Sequence, residues 1–535
     1  MNPSCRARMP RAGSLGILLL LPVIGGYGCT RSHDDAGTAA EATDLPALCD
    51  AFEVSGLPHA ARVTATEMKA GRDFDLDVCV VRGEIVSSPA STIQWAVELP
   101  SPAAWNGKSL TVGGGGFDGF IPTDADWTGA WYRGKPYARF SSDAGHQVQL
   151  FIPWGLDDVA LQNHGYLANH KTLEVGTRIV AAFYGKPPVR RYMVGLSNGG
   201  RAGLVAAERY PGDYDGIVAL APAINQQSHQ LGMLELMRHV FSAQDNWMSP
   251  ADVELYMNAE IAVCDELDGL EDGIIHNFSA CNYDAADLLC AGEKTDACLT
   301  EGQLATIALV HRDHPYQVAL SDGLPAAYPG FGRGGAPSGD WVDYLFGREF
   351  ENPSPFNYVA ADQAVKVVEG NDAASVMAHD PTEHEAGWQR LSSAIDPTAR
   401  DMTAFRDRGG KLLVWYPAGD ACVSIYRFAQ YYDALKQNMG ADPVQEFSRF
   451  YVMPALGHEL VGPGANSVDF LEKLEAWVEQ GSAPDGHAAA KLDESGTETR
   501  FERPVCQFPA FPRYDGSGDP GRAASFRCSV DREGP

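Results

Sequence analysis

Basic residues are scarce in this 535-residue sequence. It contains 41 Lys and Arg against 70 Asp and Glu, which gives a formal net charge of −29 at pH 7. A protein that binds nucleic acid or an anionic membrane needs clustered positive charge to meet the phosphate groups. The acidic balance therefore argues against both partners and is typical of a well-solvated surface.

Apolar runs long enough to cross a membrane are also absent from the sequence. The apolar run at residues 15–24 is shorter than the about 20 residues that a spanning helix needs. Three arginines precede it and small residues follow it, so we predict a signal peptide over residues 1–28 and an exported protein. Cys29 is a candidate for lipid attachment, as in a bacterial lipoprotein, although Gly26 stands where the lipoprotein signal usually has a leucine. A lipid on Cys29 is the one means of membrane attachment that we expect.

Cysteine is uncommon, with 11 residues, of which Cys5 and Cys29 lie in or next to the signal peptide. In an exported chain the others should be mostly oxidised. Cys422 has no neighbour in sequence, and we interpret it as a buried free thiol. Proximity in sequence suggests four local disulfides: Cys49–Cys79, Cys264–Cys281, Cys290–Cys298 and Cys506–Cys528.

Alternating strand and helix patterns predict an α/β fold. Strand-like runs at 78–81, 94–99 and 109–112 precede helical patterns at 173–184 and 201–210, and an apolar strand begins at Gly216. Further strands are expected within 409–420 and 449–460, followed by a helix whose apolar face contains Val468, Leu471, Leu474, Trp477 and Val478. We expect the polar stretch from 482 to 500 to be a loop or linker.

Residues 225–403 differ from the rest, with long polar loops, four cysteines and stretches rich in glycine and proline. We interpret this segment as a lid domain inserted into a catalytic domain formed by residues 45–224 and 404–535. Trp341, Tyr344 and Phe346 in the lid are candidates to line a substrate pocket, but core packing is the simpler explanation for them.

The stretch Gly195-Leu196-Ser197-Asn198-Gly199 has the G-x-S-x-G spacing of a nucleophile elbow. Glycines on both sides let the chain turn sharply from a strand into a helix, which exposes the serine hydroxyl. An ordinary glycine-rich loop is the alternative. The flanking strand and helix patterns favour Ser197 as a nucleophile.

Two further residues complete a catalytic triad. In α/β-hydrolases the acid and the histidine follow the serine in that order, each after a strand. Asp420 follows the strand-like "LLVWYPAG" and His458 follows "FYVMPALG". We therefore predict that His458 is the general base for Ser197 and that Asp420 orients the imidazole.

An oxyanion hole requires two backbone N–H donors. The N–H group of Asn198 is one candidate, and the glycine-rich loop at 113–119 supplies the other. A phosphate-binding loop is disfavoured there because no G-K-[ST] follows the glycines.

The stretch "CDELDGLEDGII" at 264–275 carries aspartates dense enough in oxygen for a hard cation such as Ca²⁺. It lacks the EF-hand spacing. A turn closed by Cys264 and Cys281 is the alternative interpretation.

The motifs together resemble the tannase and feruloyl esterase family, which includes mono(2-hydroxyethyl) terephthalate hydrolases. The resemblance extends from about Cys49 to Cys528. It is carried by "WNGK" at 105, "GGGGFDG" at 113, "SDAGH" at 142, "GLSNGGRAGL" at 195, "ERYPGDYDGIVALAPA" at 208, "CDELDGLEDGII" at 264 and the ending "RPVCQFPAFPRYDGSGDPGRAASFRC".

The resemblance implies an α/β-hydrolase fold with a large inserted lid and an esterase acting on aromatic esters. It assigns Ser197, Asp420 and His458 as the triad and Gly116 with Asn198 as the oxyanion hole. It also supports the four local disulfides. It implies a structural calcium site with carboxylates from Asp265, Asp268 and Asp272 and backbone carbonyls from Leu270 and Ile274.

One departure from the family pattern concerns a disulfide between the two catalytic loops. The family places one cysteine before the nucleophile and another after the catalytic histidine, whereas this chain has Leu196 and Glu459. Such a cross-link typically contributes about 2–4 kcal/mol. Its loss bears on the rigidity of the site and on substrate preference.

The leading hypothesis is therefore an exported serine esterase for esters of aromatic acids, with no organic cofactor. A non-catalytic binding protein on a hydrolase fold is one alternative, and an acyltransferase using the same triad is another. The sequence does not indicate which ester is cleaved or what the oligomeric state is.

Overall fold

The strands of the described residues form one large sheet and three small two-stranded sheets. The computed structural model describes residues 44–71, 75–124, 132–334, 338–398 and 400–531, so the predicted signal peptide and Cys29 lie outside the described residues. The strands are β1 (Arg62–Lys69), β2 (Val78–Ser88), β3 (Ser91–Pro100), β4 (Lys108–Val112), β5 (Ala138–Ser142), β6 (Arg190–Leu196), β7 (Gly216–Leu220), β8 (His314–Pro315), β9 (Ala327–Tyr328), β10 (Lys411–Pro417), β11 (Ser448–Met453), β12 (Ala488–Leu492), β13 (Thr499–Pro504), β14 (Cys506–Gln507), β15 (Phe511–Tyr514) and β16 (Phe526–Ser529).

The helices surround the large sheet and fill the long connection between β7 and β10. They are α1 (Leu45–Asp50), α2 (Asp158–Gln162), α3 (Ala168–Tyr184), α4 (Asn198–Arg209), α5 (Gln226–Val240), α6 (Pro250–Cys264), α7 (Glu301–His311), α8 (Ser338–Trp341), α9 (Phe356–Glu369), α10 (Glu385–Ile395), α11 (Thr403–Asp407), α12 (Ile425–Met439), α13 (Ala441–Phe447) and α14 (Phe470–Gln480). Within the described residues, no helix has both the length and the apolar character that crossing a membrane requires.

The large sheet has the strand order β1-β2-β3-β5-β4-β6-β7-β10-β11-β14. Its centre, from β5 to β11, pairs in parallel, and the pairs among β1, β2, β3 and β5 at one edge are antiparallel. At the other edge β14 pairs antiparallel with β11. This sheet with covering helices confirms the α/β-hydrolase fold.

The central strands are buried on both faces, as parallel strands covered by helices must be. Alternate residues of β10 enter two different hydrophobic clusters, with Val414 on one face and Trp415 on the other. Helix α14 covers the second face through Leu471, Leu474 and Trp477, which confirms the predicted amphipathic helix. The prediction for 482–500 was wrong in part, because this stretch contains β12 and the start of β13, which pair with each other.

The chain between β7 and β10 adds no strand to the large sheet in its described part. It contains α5 to α11 and the short β8–β9 pair. This arrangement agrees with an insertion into the sheet-forming sequence, while the boundaries at 225 and 403 stay a prediction.

All four predicted disulfides are present: Cys49–Cys79, Cys264–Cys281, Cys290–Cys298 and Cys506–Cys528. Cys422 is a buried free thiol, as expected. Two of the bonds hold the segment between α6 and α7, where the described chain is mostly irregular: Cys264 at the end of α6 is joined to Cys281, and Cys290 is joined to Cys298. The cross-links therefore stabilise a region that has little regular structure of its own.

Candidate active site

Ser197 lies on a strained turn between β6 and α4. Its backbone angles are φ 57° and ψ −120°, a region that a residue with a side chain rarely adopts. The turn is held by the N–H group of Ser197, which donates to the Leu220 carbonyl at 2.9 Å, and by the N–H group of Ala223, which donates to the Ser197 carbonyl at 3.0 Å. The predicted elbow geometry is therefore present.

The elbow packs directly against the glycine-rich loop that follows β4. The N–H group of Gly199 donates to the Gly114 carbonyl at 3.0 Å. A Cβ atom at Gly199 would lie 2.5 Å from that carbonyl oxygen, so only glycine allows the two backbones to approach this closely. The serine and the predicted oxyanion loop are thus parts of one close-packed unit.

Asp420 and His458 form a buried hydrogen-bonded pair at the ends of β10 and β11. The Nδ1 atom of His458 lies 2.8 Å from Oδ2 of Asp420. The second carboxylate oxygen, Oδ1, accepts from the N–H groups of Cys422 at 2.8 Å and Val423 at 2.9 Å. These bonds fix the carboxylate so that it orients the imidazole ring.

The environment of His458 favours its charged form. Burial alone lowers the pKa of this imidazole, but the Asp420 carboxylate and the neighbouring Cys422 thiol outweigh burial and raise the pKa well above 6.5. A base with a raised pKa accepts a proton from a serine hydroxyl more readily. The pair is therefore suited to act as a general base.

Ser197 and His458 line the same cavity, which we name the outer cavity and which has a volume of about 760 Å³. The hydrogen bonds of the described residues do not include one between the Ser197 hydroxyl and the His458 ring. Catalytic hydrogen bonds are often long in the absence of substrate. The structure thus brings the three predicted triad residues to one site, and proton transfer between the serine and the histidine stays a prediction.

The predicted oxyanion donors lie on either side of Ser197. Gly116, with φ +55°, lines the outer cavity beside the serine, and Asn198 is the first residue of α4. Among the described residues, neither backbone N–H group donates a hydrogen bond to the protein. Both donors are therefore free to bind a developing oxyanion.

A buried polar network that sequence reasoning missed joins Asn198 to the glycine-rich loop after β4. The Asn198 side-chain NH₂ group donates to the Asp118 carboxylate, and Oδ1 of the same side chain accepts from Nε of Arg201 at 2.6 Å. Burial raises the pKa of Asp118 to about 7, although the bond from Asn198 and the charge of Arg201 oppose the shift. The "FDG" after the glycines was the only sequence signal for Asp118.

Asp340 is a second contact that sequence reasoning missed. One carboxylate oxygen accepts from the His458 N–H group at 3.0 Å and the other from the Ala421 N–H group at 2.8 Å. It therefore ties the acid loop to the histidine loop from the segment between β7 and β10. Burial and the nearby Asp420 raise the pKa of Asp340 to about 7.

Leu196 and Glu459 occupy the two positions where the family pattern has disulfide-bonded cysteines, and in this structure their side chains have different contacts. Leu196, the last residue of β6, is buried in the hydrophobic cluster that α14 covers and also lines the outer cavity. Glu459 is exposed at the outer cavity and accepts a hydrogen bond from the Tyr344 hydroxyl at 3.1 Å. Tyr344 lines the outer cavity, whereas Trp341 and Phe346 are core residues, as the simpler explanation predicted.

A second, smaller space of about 30 Å³, the inner cavity, is also lined by Ser197. Its lining includes three buried residues that each have a polar side-chain atom without a hydrogen-bond partner among the described residues: Gln226, His229 and Gln230. Cys422 lines both cavities, and burial raises the pKa of its thiol to about 11 despite the nearby His458. The thiol is thus poorly suited to act as a nucleophile.

The predicted calcium residues share one loop closed by the Cys264–Cys281 bond. Asp265 accepts from the N–H groups of Gly273 and Ile274, and Asp272 pairs with Arg503. Asp268 is fully buried and lies 2.6 Å from Nδ1 of His276. In this part of the described chain, no hydrogen-bond donor contacts the carbonyl oxygens of Leu270 and Ile274, which leaves both available as ligands.

A different cluster, formed by Glu369, His379 and His384, has its ligand atoms within 4.8 Å of one another. His379 is held on both sides, with Nδ1 at 2.7 Å from Glu369 and Nε2 accepting from the Trp388 indole at 3.1 Å. A metal on Nδ1 would place the ring proton on Nε2, where it would oppose the indole N–H. The cluster is therefore better explained as a packing arrangement.

Together, the fold and the site geometry are those of a carboxylic ester hydrolase of the α/β-hydrolase class. The chain belongs to the tannase and feruloyl esterase family, whose model matches residues 79–529.

Similar proteins agree with this class. An uncharacterized esterase of Agrobacterium fabrum is 32% identical, with 96% of each chain covered. A mono(2-hydroxyethyl) terephthalate hydrolase of Piscinibacter sakaiensis is 28% identical, with 91% of this chain and 89% of the relative covered. The crystal structure of feruloyl esterase B from Aspergillus oryzae has the same fold, with a TM-score of 0.77 at 23% identity, and the match covers 91% of this chain and 100% of that one.

Proposed function

We propose that this chain is an exported serine esterase that cleaves esters of aromatic acids through an acyl-enzyme on Ser197. The observation that carries the proposal is the position of a strained serine beside the Asp420–His458 pair in one open cavity. Phe117, Phe356 and Tyr344 line that cavity and offer flat apolar surfaces to an aromatic ring. The names of the family and of its terephthalate relative support the same substrate class.

In the first half of the reaction, His458 removes the proton of the Ser197 hydroxyl as its oxygen attacks the ester carbonyl carbon. The carbonyl π electrons move to the oxygen, which the N–H groups of Gly116 and Asn198 then stabilise. When this intermediate collapses, His458 returns the proton to the departing alcohol and the acyl group stays on Ser197.

The second half repeats these steps with water. His458 deprotonates a water molecule, the resulting hydroxide attacks the acyl carbon, and the acid leaves as Ser197 regains its proton. An alcohol in place of water would give acyl transfer. Hydrolysis in the presence of competing alcohols, followed by product analysis, separates the two outcomes.

The direct test is the Ser197→Ala variant with an aryl ester such as methyl ferulate. We expect kcat/KM to fall by at least about 10³-fold, because the variant lacks the nucleophile. A fluorophosphonate probe should label the parent at Ser197 and leave the variant unlabelled. Undiminished hydrolysis by the variant would contradict the proposal.

Export is supported by four disulfides, which persist in an oxidising compartment. We expect the mature chain to begin after the residues of the signal peptide. N-terminal analysis of the protein recovered from outside the cytoplasm tests this, and mass analysis shows whether Cys29 carries lipid.

Calcium in the loop at 264–275 is a further part of the proposal. Asp265, Asp268 and Asp272 would give carboxylates, Leu270 and Ile274 would give carbonyls, and the bound ion would supply structural stability. We expect the chelator EGTA to lower the melting temperature and Ca²⁺ to restore it, because an ion that binds only the folded state stabilises it. The Asp268→Asn variant should lose this calcium dependence. A parent with the same melting temperature in EGTA and in Ca²⁺ would show that the loop holds no ion.

A further inference from the structure

The charged groups of the outer cavity are unbalanced. Among the described residues that line it, Asp118 and Glu459 carry carboxylates, and no lysine or arginine is present. Asp118 is bonded to Asn198 and lies in the field of Arg201, and His458 must be neutral when it acts as the base. Glu459 takes part in no ion pair among the described residues, so it is the carboxylate whose charge a substrate meets without a cation to offset it.

The sizes of the two cavities determine where an aromatic ring can bind. The inner cavity, at about 30 Å³, has room for about two water molecules and cannot admit a benzene ring in this conformation. The outer cavity, at about 760 Å³, admits a ring with its substituents. The ring and any group attached to it must then lie in the same space as Glu459.

Glu459 is held at this cavity by its surroundings. Its carboxylate accepts from the Tyr344 hydroxyl at 3.1 Å, and the Tyr344 ring packs edge-on against His458 with 5.2 Å between centroids. The carboxylate of Glu459 thus contacts the tyrosine that packs against the ring of His458, the preceding residue in the chain. Two like charges brought into one partly enclosed cavity repel each other more strongly than in open water.

We propose that Glu459 makes this enzyme select uncharged aromatic esters and reject those whose ring carries a carboxylate. The inference rests on the proposed esterase function and adds the charge class of the substrate. It separates this chain from its terephthalate relative, because a terephthalate half-ester is an anion near pH 7. Glu459 acts here as a specificity-determining residue and takes no part in proton transfer.

The test compares two esters of nearly equal shape, monomethyl terephthalate and methyl 4-carbamoylbenzoate. They differ in one group on the ring, a carboxylate in the first and an uncharged amide in the second. For the parent enzyme we expect kcat/KM for the amide-bearing ester to exceed that for the half-ester by about threefold to tenfold or more at low salt. The preference should narrow as salt is added.

The Glu459→Gln variant should move the ratio of the two kcat/KM values toward the half-ester by about threefold to tenfold, and Glu459→Lys should move it further. The matched control is Glu494→Gln, which removes one negative charge from an exposed residue that does not line the cavity. Its ratio should equal that of the parent. A shift of the same size in this control would show that overall charge, and not Glu459, sets the preference.

Two results would overturn the inference while leaving the esterase function intact. One is a parent that hydrolyses both esters equally well, and the other is a Glu459→Gln ratio within twofold of the parent. Ester hydrolysis that persists in Ser197→Ala would instead contradict the proposed function itself.

Discussion

Ser197 owes its conformation to the residues around it. Its φ of 57° is maintained by backbone bonds to Leu220 and Ala223 and by contact with the glycine loop. Strain of this kind persists only where neighbouring structure determines it. Small changes in the neighbours should therefore affect the reaction even where they do not touch the hydroxyl.

Gly199→Ala tests this dependence. The added methyl group would lie 2.5 Å from the Gly114 carbonyl oxygen, so the loop that carries Gly116 must move. We expect kcat to fall by about 10²-fold or more, because the oxyanion donors shift with the loop. The control is Gly212→Ala, whose methyl group meets no atom within 4 Å and should leave kcat unchanged. Equal kcat values for both variants would contradict the close packing seen here.

The raised pKa of His458 predicts the pH dependence. The imidazole must be neutral to accept a proton, so kcat/KM should be lost as the pH falls through a pKa above 6.5. In Asp420→Asn, burial remains and the carboxylate charge is gone, so the inflection should move to lower pH while kcat falls by roughly 10³- to 10⁴-fold. Steady-state rates from pH 5 to 10 give both quantities. An unmoved inflection would show that Asp420 does not set this pKa.

The sequence predicted the positions of the triad because each residue follows a buried strand. It could not predict Asp118 or Asp340, which contact partners 80 and 118 residues away along the chain. Neither hydrophobic periodicity nor motif spacing in the sequence indicates such contacts, because they depend on how distant loops pack against each other.

At the scale of the elements, the loops after β10 and β11 are joined by Asp340. Both N–H groups that it accepts from are buried, and each would lose its partner if the carboxylate were removed. An unsatisfied buried N–H group costs about 1–3 kcal/mol. The Asp340 bridge therefore supports the relative position of the loops after β10 and β11. This support matters more here because the chain lacks the family disulfide between the histidine loop and the nucleophile elbow.

Asp340→Ala should lower kcat by roughly 10- to 100-fold with a smaller effect on KM, because the acid and the histidine lose their alignment. Asp343→Ala is the matched control, since this neighbouring residue is exposed and pairs only with Arg348 at 3.0 Å among the ion pairs of the described chain. Its kcat should stay within twofold of the parent. If both variants have the same melting temperature decrease and both keep the kcat of the parent, then the Asp340 bridge does not align the acid with the histidine.

Elements with a clear hydrophobic period were the easiest to predict. Helix α14 and strands β10 and β11 followed from apolar spacing, since their burial leaves a pattern in the sequence. The β12–β13 pair was missed because most of its residues are at least partly exposed. A pair that buries few apolar residues leaves no such pattern.

For the whole molecule, the disulfides are distributed along the chain, with separations of 30, 17, 8 and 22 residues. Each is expected to contribute about 2–4 kcal/mol to the free energy of unfolding. Dithiothreitol should therefore lower the melting temperature, measured by scanning calorimetry. The Cys422→Ser variant should show the same decrease, because its thiol is not cross-linked. A melting temperature that reduction leaves unchanged would mean that the cross-links do not stabilise the fold.

The strand β11, whose end leads to His458, has one edge covered by the short strand β14 and by Phe508, whose N–H group donates to the Phe450 carbonyl at 2.9 Å. The Cys506–Cys528 bond anchors this short cover close to the end of the chain. A polypeptide that stops before Cys506 already holds all three triad residues, yet its β11 would present open backbone groups that recruit other strands. Premature termination or C-terminal proteolysis would thus leave a protein that is prone to aggregate through the edge of β11. Shortened expression variants should therefore retain the chain through Ser529.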